Sequence, residues 1–306
     1  MGSLLNSNLH IHSFYSDGVF SPAKLSSMCE KRGLERVSLT DHNSVSGLQE
    51  FAAGSLLGKT SFVPGVEFSC CFNSKALQRE IVLHLLAYFP QQMHETALRT
   101  AKYVERRFNG FCRKIRRQAN ERRAIQVALL EESGLNISFN EVFRSCLHRS
   151  PDYYPNPEVT MDDLALCLSR RNSLFREDAA KMLSFGGKFH LGKTNEWDLV
   201  SVEEVVEKVG DFGGFTSIAH PLKKIPEEKL GKALKELKEI GVDAVEAFNK
   251  CTAEQAVKVV KTARKLCFGL THGNDFHGKK SIESILPAEF NCPWEHSFNS
   301  SYIGSF

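Results

Sequence analysis

Leu9-His10-Ile11-His12 is a short run of alternating polar and apolar residues near the start of the chain. In a β-strand, side chains at i and i+2 point to the same face, so His10 and His12 would lie together while Leu9 and Ile11 face the other way. Asp275-Phe276-His277 repeats this spacing about 260 positions later. Two side chains at this spacing can share one metal ion or bridge two, so both runs are candidate ligand pairs.

Apolar and β-branched runs alternate with longer helical stretches along much of the chain, a pattern typical of β/α units and a parallel sheet. Helix start signals lie between these runs: Ser21-Pro22 opens one helix, Asn43-Ser44 caps the next, and Thr252 begins another. Seven strands are predicted, at 8–12, 36–40, 62–68, 81–88, 215–219, 243–248 and 267–271. The sequence therefore predicts an α/β fold, a seven-stranded relative of the β/α barrel.

The alternation stops between residues 91 and 200, where the sequence predicts helix after helix and no strand. We expect residues 1–90 and 201–286 to form the barrel, 91–200 to form an inserted helical domain that caps the substrate site, and 287–306 to form a C-terminal tail. A loop with Pro151, Pro155 and Pro157 divides the insertion. Its first helix is strongly basic: residues 99–123 carry +8, whereas the whole chain carries +3.

The composition is that of an ordinary globular protein. Of the 306 residues, 42% are hydrophobic and 25% are charged, which argues against disorder and against a coiled-coil rod. No run approaches the ~18 to 20 apolar residues of a membrane span, and residues 1–8 lack the features of a signal peptide. The nine cysteines include no CxxC pair and do not form the pattern of a secreted disulfide framework. We expect a cytoplasmic location, no membrane association and no obligate protein partner.

Nine side chains of the metal-ligand type fall in or just after the predicted strands. Taken singly each has an ordinary explanation, since a lone histidine in a strand is more often a hydrogen-bonded core residue. In a barrel, however, the strand ends converge on one mouth. Six imidazoles and three carboxylates gathered there would need cations to offset their desolvation, and mixed ligation of this kind suits zinc, manganese or iron. The nine are His10, His12, Asp17, His42, Glu67, His84, His220, Asp275 and His277.

Taken in order, the motifs around these residues resemble those of the polymerase and histidinol phosphatase (PHP) family. The resemblance covers residues 9–278 and looks strongest to the subgroup of nucleoside 3′,5′-bisphosphate phosphatases and 5′→3′ exoribonucleases. It implies a distorted (β/α)7 barrel of the PHP type, with an inserted helical domain and two or three divalent metal ions. The motifs are His10-x-His12, Ser16-Asp17-Gly18, Thr40-Asp41-His42, Pro64-Gly65-Val66-Glu67, His84, Ala219-His220-Pro221 and Gly273-Asn274-Asp275-Phe276-His277.

The resemblance also implies how the ligands divide among the metal ions. The first ion would take His10, His12, Glu67 and Asp275, the second Glu67, His84 and His220, and the third Asp17, His42 and His277. Asp41 and Glu246 would support ligands rather than bind metal. Asp17, His220 and His277 are the candidate catalytic residues, and the acid that protonates the leaving alkoxide stays open between the two histidines.

Three divalent cations and three carboxylates would leave the site with a charge of about +3, which attracts a phosphate dianion. The cations would lower the pKa of a bound water toward about 7, so that hydroxide is available for in-line attack on phosphorus.

Phosphate binding outside the metal site departs from the subgroup pattern. The subgroup has a Thr-Arg pair and a nearby histidine in the insertion, whereas this chain reads Val159-Thr160-Met161-Asp162-Asp163. Arginine suits bidentate phosphate contact, so basic residues of the insertion are the candidate substitutes. They are Arg106, Arg107 and Arg113 of the basic helix and Lys188 of a glycine-rich loop. Four further arginines are expected on a solvated face, namely Arg116, Arg117, Arg122 and Arg123.

We therefore expect a metal-dependent phosphoesterase that acts on a nucleoside 3′,5′-bisphosphate or on the 5′ end of a short RNA. The alternative is a histidinol-phosphate phosphatase or another small phosphate monoester phosphatase. A non-catalytic, metal-stabilised nucleic-acid-binding protein is the second alternative. A preference for a neighbouring second phosphate distinguishes the first two, and RNA binding would weaken steeply with salt.

Overall fold

The computed structural model describes residues 6–55, 58–90, 96–147, 157–183, 187–189 and 199–278. The strands are β1 (Ser7–Ile11), β2 (Arg36–Leu39), β3 (Ser61–Phe62), β4 (Gly65–Ser74), β5 (Arg79–Tyr88), β6 (Phe215–Ile218), β7 (Ala244–Glu246) and β8 (Gly269–Thr271). The helices are α1 (Pro22–Lys31), α2 (Leu48–Ser55), α3 (Ala97–Glu132), α4 (Phe139–Leu147), α5 (Met161–Asn172), α6 (Arg176–Leu183), α7 (Val202–Gly210), α8 (Leu230–Ile240) and α9 (Ala253–Lys265). The chain is a mixed α/β protein.

The strands form two sheets. In the first, β1, β2 and β3 are parallel and lie in that order. In the second, β4 to β8 lie in chain order; β5 is antiparallel to both β4 and β6, and β6, β7 and β8 are parallel. Isolated bridges join the sheets at two places, His42 to Glu67 and Ile11 to Phe276. Because these are single bridges rather than ladders, the sheets are not closed and a closed barrel is not confirmed.

The predicted strand positions agree with the structure except at 62–68. That segment is divided into β3 and β4 at Val63-Pro64, because proline has no N–H to donate to a ladder. The start of α2 also differs from the prediction. Asn43-Ser44 does not cap this helix, which begins at Leu48, because Asn43 has a φ of 47° and its side chain bonds to Ser69. Ser21 and Thr252 do cap their helices, each accepting from the backbone N–H three residues on.

Two main hydrophobic clusters lie along α3. The larger contains residues of both sheets and the first half of α3, including Val104, Phe108 and Ile115. A second cluster joins the last turns of α3, from Val127 onward, to α4, α5 and α6. The helix therefore runs from the core around the sheets into a separate helical core, and the domain boundaries at 91 and 200 stay predictions.

Within the described part of 91–200 there are helices and no strand. Pro151, Pro155 and the predicted tail 287–306 lie outside the described residues. Among the described helices, none has the length and apolar character needed to cross a membrane.

Candidate metal centre

The end of β1 brings two buried histidines against two carboxylates from distant parts of the chain. His10 and His12 share one face of the strand, while Ile11 belongs to the hydrophobic core. His12 Nε2 lies 3.2 Å from Glu67 Oε2 and 3.1 Å from Asp275 Oδ1. His10 Nε2 lies 3.1 Å and 3.4 Å from the same two oxygens. The i, i+2 spacing thus directs both imidazoles to one site.

Glu67 lies at the middle of the cluster, and its fully buried carboxylate is near five imidazoles. Besides His10 and His12, His42 Nδ1 lies 3.0 Å from Oε2. On the other oxygen, His84 Nδ1 lies 2.9 Å and His220 Nε2 lies 3.2 Å from Oε1. The two oxygens of this carboxylate therefore lie among different imidazoles, so that Glu67 is in position to bridge two ligand sets.

Asp17 forms the outer side of the cluster. Its Oδ1 lies 2.9 Å from His277 Nε2, 3.9 Å from His12 Nδ1 and 4.0 Å from His42 Nε2. The outer side chains have a small exposed fraction, 14% for Asp17 and 16% for His277, whereas those of His10, His12 and Glu67 have none. The cluster therefore has a closed inner part and an outer part that faces solvent.

The structure brings together all nine predicted ligand residues. Three sets have ligand atoms within 4.8 Å of one another, and the described residues in these sets all belong to the nine. The sets are His10, His12, Glu67 and Asp275; His42, Glu67 and His84; and His12, Asp17, His42 and His277. The first matches a set that the sequence predicts, and the third adds His12 to another. In the second set His42 takes the place predicted for His220, which is nevertheless beside Glu67.

The donor atoms fit a group of bound cations. His12 Nε2, His42 Nδ1 and Asp275 Oδ1 are buried and make no hydrogen bond of acceptable geometry. Carboxylate oxygens or imidazole nitrogens nevertheless lie near each of them. Buried polar atoms normally have hydrogen-bond partners, and convergent atoms without them are what a metal ion would satisfy.

A model of the PHP domain matches residues 8–167, which is more than half of the chain. The chain belongs to the PHP domain family. A 5′-3′ exoribonuclease of Haemophilus influenzae is 24% identical to it over 297 residues, covering 92% of this chain and 96% of the relative. A 3′,5′-nucleoside bisphosphate phosphatase of Chromobacterium violaceum is 26% identical over 222 residues, covering 71% and 67%. This PHP domain protein is therefore a metal-dependent phosphoesterase, a hydrolase of phosphate esters.

Solved structures share the fold of the PHP domain protein. A chain from Bifidobacterium adolescentis assigned as a metal-dependent phosphoesterase has a TM-score of 0.65 at 21% identity, covering 90% of this chain and 88% of its own. An amidohydrolase from Chromobacterium violaceum, solved with bound sulfate and no metal, has a TM-score of 0.69 at 20% identity, covering 89% and 87%.

The buried charges of the PHP cluster shift one another's pKa values. Burial lowers the pKa of His12, but the carboxylates of Asp275 and Glu67, 3.1 and 3.2 Å from its Nε2, raise it to about 9 overall. For His42, burial dominates and lowers the pKa to about 3. Burial raises the pKa of Glu67, but the surrounding histidines bring it well below its usual range. Without metal, then, the carboxylates are ionised and part of the histidine set carries protons.

Two further acids, Glu246 and Asp41, form hydrogen bonds to the ligand residues or to their neighbours. Glu246 Oε1 lies 2.9 Å from His10 Nδ1, and its Oε2 accepts from the backbone N–H of His220 at 2.8 Å. Glu246 therefore contacts one imidazole directly. Asp41 accepts from Ser13 Oγ and Ser16 Oγ, both at 2.6 Å. Its contact with an imidazole is indirect, since Ser16 Oγ lies 3.5 Å from His12 Nδ1.

The backbone has unusual φ angles at two of the nine residues. His220 has a φ of 29° and Asp275 a φ of 55°, both in the left-handed region that side chains other than glycine rarely adopt. Gly273 lies against His10, where an added Cβ would be 2.4 Å from the His10 Cβ. Strained backbone of this kind clusters at functional sites, where the surrounding structure holds it.

The predicted phosphate-binding residues lie apart from the nine. Arg106, Arg107 and Arg113 are exposed on α3, and Arg113 lines a groove of about 480 Å³ on that helix. Lys188 is exposed, with Nζ 5.0 Å from the ring centre of Phe189 in the second hydrophobic cluster. Within the described residues, these four make no hydrogen bond or ion pair with the nine, so their role stays a prediction.

Other cations, not predicted from the sequence, lie close to the centre. Arg116 was expected on a solvated face, but this is wrong: it is 4% exposed and donates to the backbone oxygen of Asn43, next to His42. The signal was its position on the apolar stripe of α3, four residues after Cys112 and eight after Phe108. Lys250 follows β7 and forms an ion pair with Asp275 Oδ2.

Arg123 of α3, also expected on a solvated face, is half-buried and lies within electrostatic reach of Lys224, in the segment after His220. Burial, and then Arg122, lower the pKa of the Arg123 guanidinium to about 10, against the opposing effect of Glu158. Burial, Lys223 and Arg123 lower the pKa of Lys224. Cations from the insertion and from the segment after His220 therefore lie within electrostatic reach of each other.

Proposed function

We propose that the nine side chains hold two or three divalent metal ions, of manganese, zinc or iron, and that the protein hydrolyses phosphate esters of nucleotides. The proposed substrates are a nucleoside 3′,5′-bisphosphate and the 5′ end of a short RNA. The observation that carries the proposal is Glu67, a fully buried carboxylate within 3.2 Å of five imidazoles and a member of two of the three overlapping ligand sets. Mixed imidazole and carboxylate sets of this kind suit these metals.

Bound there, the metal ions would supply a hydroxide at neutral pH and stabilise charge on the phosphoryl oxygens. The residues divide the remaining work by their exposure. Asp17 and His277, together with His42 and His84, form the part open to solvent, where substrate can enter. With only two ions bound, at the sets that contain Glu67, His277 holds no metal and is the better proton donor for the leaving alkoxide, because its side chain is 16% exposed whereas that of His220 is 1% exposed. His220 would serve chiefly to hold metal beside Glu67.

The choice of substrate draws on the two relatives, one named for RNA and one for nucleoside bisphosphates. The local charge supports a substrate with more than one phosphate, since Lys223 and Lys250 lie within electrostatic reach of Asp275 and Glu67 and add cations beside the metal site. A cytoplasmic location stays a prediction. The bridges His42–Glu67 and Ile11–Phe276 support a distorted (β/α)7 arrangement around the centre, because they join the two sheets on either side of it.

Hydrolysis assays with defined variants test the proposal. Protein loaded with manganese should release phosphate from adenosine 3′,5′-bisphosphate or mononucleotides from a 5′-phosphorylated RNA. Glu67→Gln and Asp275→Asn should lose at least about 100-fold in kcat together with bound metal, because each removes a charged ligand oxygen. Asp211→Asn, at the exposed residue that follows α7, is the matched control.

Phosphate release and metal content decide between the proposed activities. Equal rates on histidinol phosphate and on the bisphosphate would favour the small monoester phosphatase instead. Full activity of Glu67→Gln with no bound metal would overturn the proposed centre. Salt-sensitive RNA binding without any hydrolysis would favour the non-catalytic alternative.

A further inference from the structure

Asn43 directly follows the proposed ligand His42 and is held on every side. It is fully buried and has a φ of 47°, in the left-handed region that asparagine tolerates better than most residues. Its backbone N–H donates to the oxygen of Glu67 at 2.8 Å. Its side-chain oxygen accepts from the backbone N–H of Ser69 at 3.0 Å. These bonds tie the end of β2 to β4, the two segments that carry His42 and Glu67.

Asn43 Nδ2 also donates to Ser69 Oγ at 3.3 Å, and two further bonds of Asn43 go to the helical insertion. Its Nδ2 donates to Glu158 Oε2 at 2.6 Å, and its backbone oxygen accepts from Arg116 Nη1 on α3. Both partners are charged, and hydrogen bonds to charged groups are shorter and stronger than neutral ones. One residue beside the metal centre is thus bound by two separate segments of the insertion.

Glu158 is itself held in place by α3. Asn120 of that helix donates to the backbone oxygen of Pro157 at 3.0 Å and accepts from the N–H of Val159 at 2.8 Å. These two bonds fix the backbone on both sides of Glu158, so its carboxylate is presented to Asn43. Burial raises the pKa of Glu158 above its ordinary value, although the hydrogen bond from Asn43 and the charges of Arg123 and Arg116 oppose this rise.

We propose that Asn43 and Glu158 are a positioning pair through which the helical insertion sets the place of His42 in the metal centre. The inference rests on the proposed role of His42 as a ligand. The pair acts through the backbone, because any shift of Asn43 also moves His42 and the Glu67 carbonyl to which it bonds. The contacts that hold the insertion against the end of β2 are thereby linked to the assembly of the centre.

Exchanging the donor and the acceptor within the pair tests the inference. Asn43→Asp keeps the acceptor for Ser69 but places two carboxylates against each other, and at pH 8 we expect a loss of metal affinity and kcat of about 10- to 100-fold. Glu158→Gln alone keeps an oxygen that can accept from Asn43, so its values should stay within about threefold of wild type. In the double variant Asn43→Asp/Glu158→Gln, the amide introduced at position 158 can donate to the carboxylate introduced at position 43, and most of the lost affinity should return.

Metal dissociation constants from calorimetry, kcat and KM are measured for wild type, the three variants and the surface control Asn109→Asp/Glu131→Gln. A merely structural role would lower the melting temperature without changing the metal affinity of the folded protein, and that result would overturn the proposal. A double variant no better than Asn43→Asp would do the same. Wild-type protein that binds no divalent cation would overturn the proposed function first and this inference with it, whereas active wild type with unaffected variants would overturn only the inference.

Discussion

The protonation of His12 makes the metal-free centre sensitive to pH. With no metal bound, the folded-state pKa of His12 is about 9, above its ordinary value of 6.5, because the nearby carboxylates of Asp275 and Glu67 outweigh burial. A raised pKa contributes stability that is full below about pH 6.5 and is lost as the pH rises through 9. The pKa of His10 is raised as well, which acts in the same direction, although burial opposes it.

Chelator-treated protein should therefore become less stable between pH 6.5 and 9, by roughly 3 kcal/mol from His12 alone. Urea unfolding at a series of pH values measures this free energy. The low pKa values of His42 and His220, about 3 and 4, leave both neutral in the folded protein, so they oppose the trend only near pH 6.5, where the same histidines of the unfolded chain still lose protons. Metal-loaded protein is the control and should lack this loss, because coordinated imidazoles stay unprotonated. Rising stability of the metal-free protein toward pH 9 would contradict the assignment.

The residues that form the centre could be predicted because their signal is local. His10 and His12 show the i, i+2 spacing, and the others follow strands whose apolar runs are visible in the sequence. The cations Arg116 and Lys250 could not be assigned in the same way. Their place depends on how the insertion and the end of β7 pack against the centre, and an arginine in a basic helix is usually solvated.

The long helix α3 contains a glycine that its conformation does not require. Gly110 lies in the helix interior, and an added Cβ there would meet no atom within 4 Å. Glycine costs a helix about 0.5–1 kcal/mol relative to alanine, through the entropy of the unfolded chain. Gly110→Ala should therefore raise the free energy of unfolding by up to about 1 kcal/mol, measured by urea titration, with activity unchanged.

Gly273→Ala is the contrasting variant. Its new Cβ would overlap the His10 Cβ at 2.4 Å, so both stability and metal affinity should fall. Similar effects of the two substitutions would show that the close approach of Gly273 to His10 does not matter for the centre.

Helix ends that depend only on neighbouring residues could be predicted from the sequence. Ser21 and Thr252 cap their helices as expected, because the capping bond involves only neighbouring residues. The start of α2 was not predicted, since Asn43 uses its side chain for tertiary contacts with Ser69 and Glu158 instead of a local cap. The sequence also could not show that the two sheets are joined only by isolated bridges. Contacts between sheets are long-range and leave no periodic signal in the sequence.

Metal binding should govern the free energy of unfolding of the whole protein. The nine ligand residues come from segments 10–84 and 220–277, so bound cations would cross-link both ends of the described chain around the larger hydrophobic cluster. A ligand present at 100 times its Kd stabilises the folded state by about 2.7 kcal/mol per site. We expect the melting temperature to rise with manganese concentration and to fall on addition of chelator.

Differential scanning fluorimetry measures this shift, with Glu67→Gln as the control that should respond weakly. An identical melting temperature with and without chelator would contradict a cation-linked fold. Stabilisation by metal could be predicted from the sequence, because the nine ligand residues are visible in it. The second hydrophobic cluster, around α4, α5 and α6, could not be predicted, because it depends on how the insertion packs.

The unequal exposure of the cluster also imposes an order on metal loading. His10, His12 and Glu67 are sealed from solvent, whereas Asp17 and His277 are partly open. The ligand side chains of the inner set are at most 3% exposed, whereas each of the other two sets contains histidines that are 16–18% exposed, so an ion in the inner set exchanges more slowly with bulk solution. Protein purified in dilute buffer would then keep the ion of the inner set and lose the ion bound by Asp17 and His277. Such a sample would need added metal to refill the outer site before it could turn over substrate.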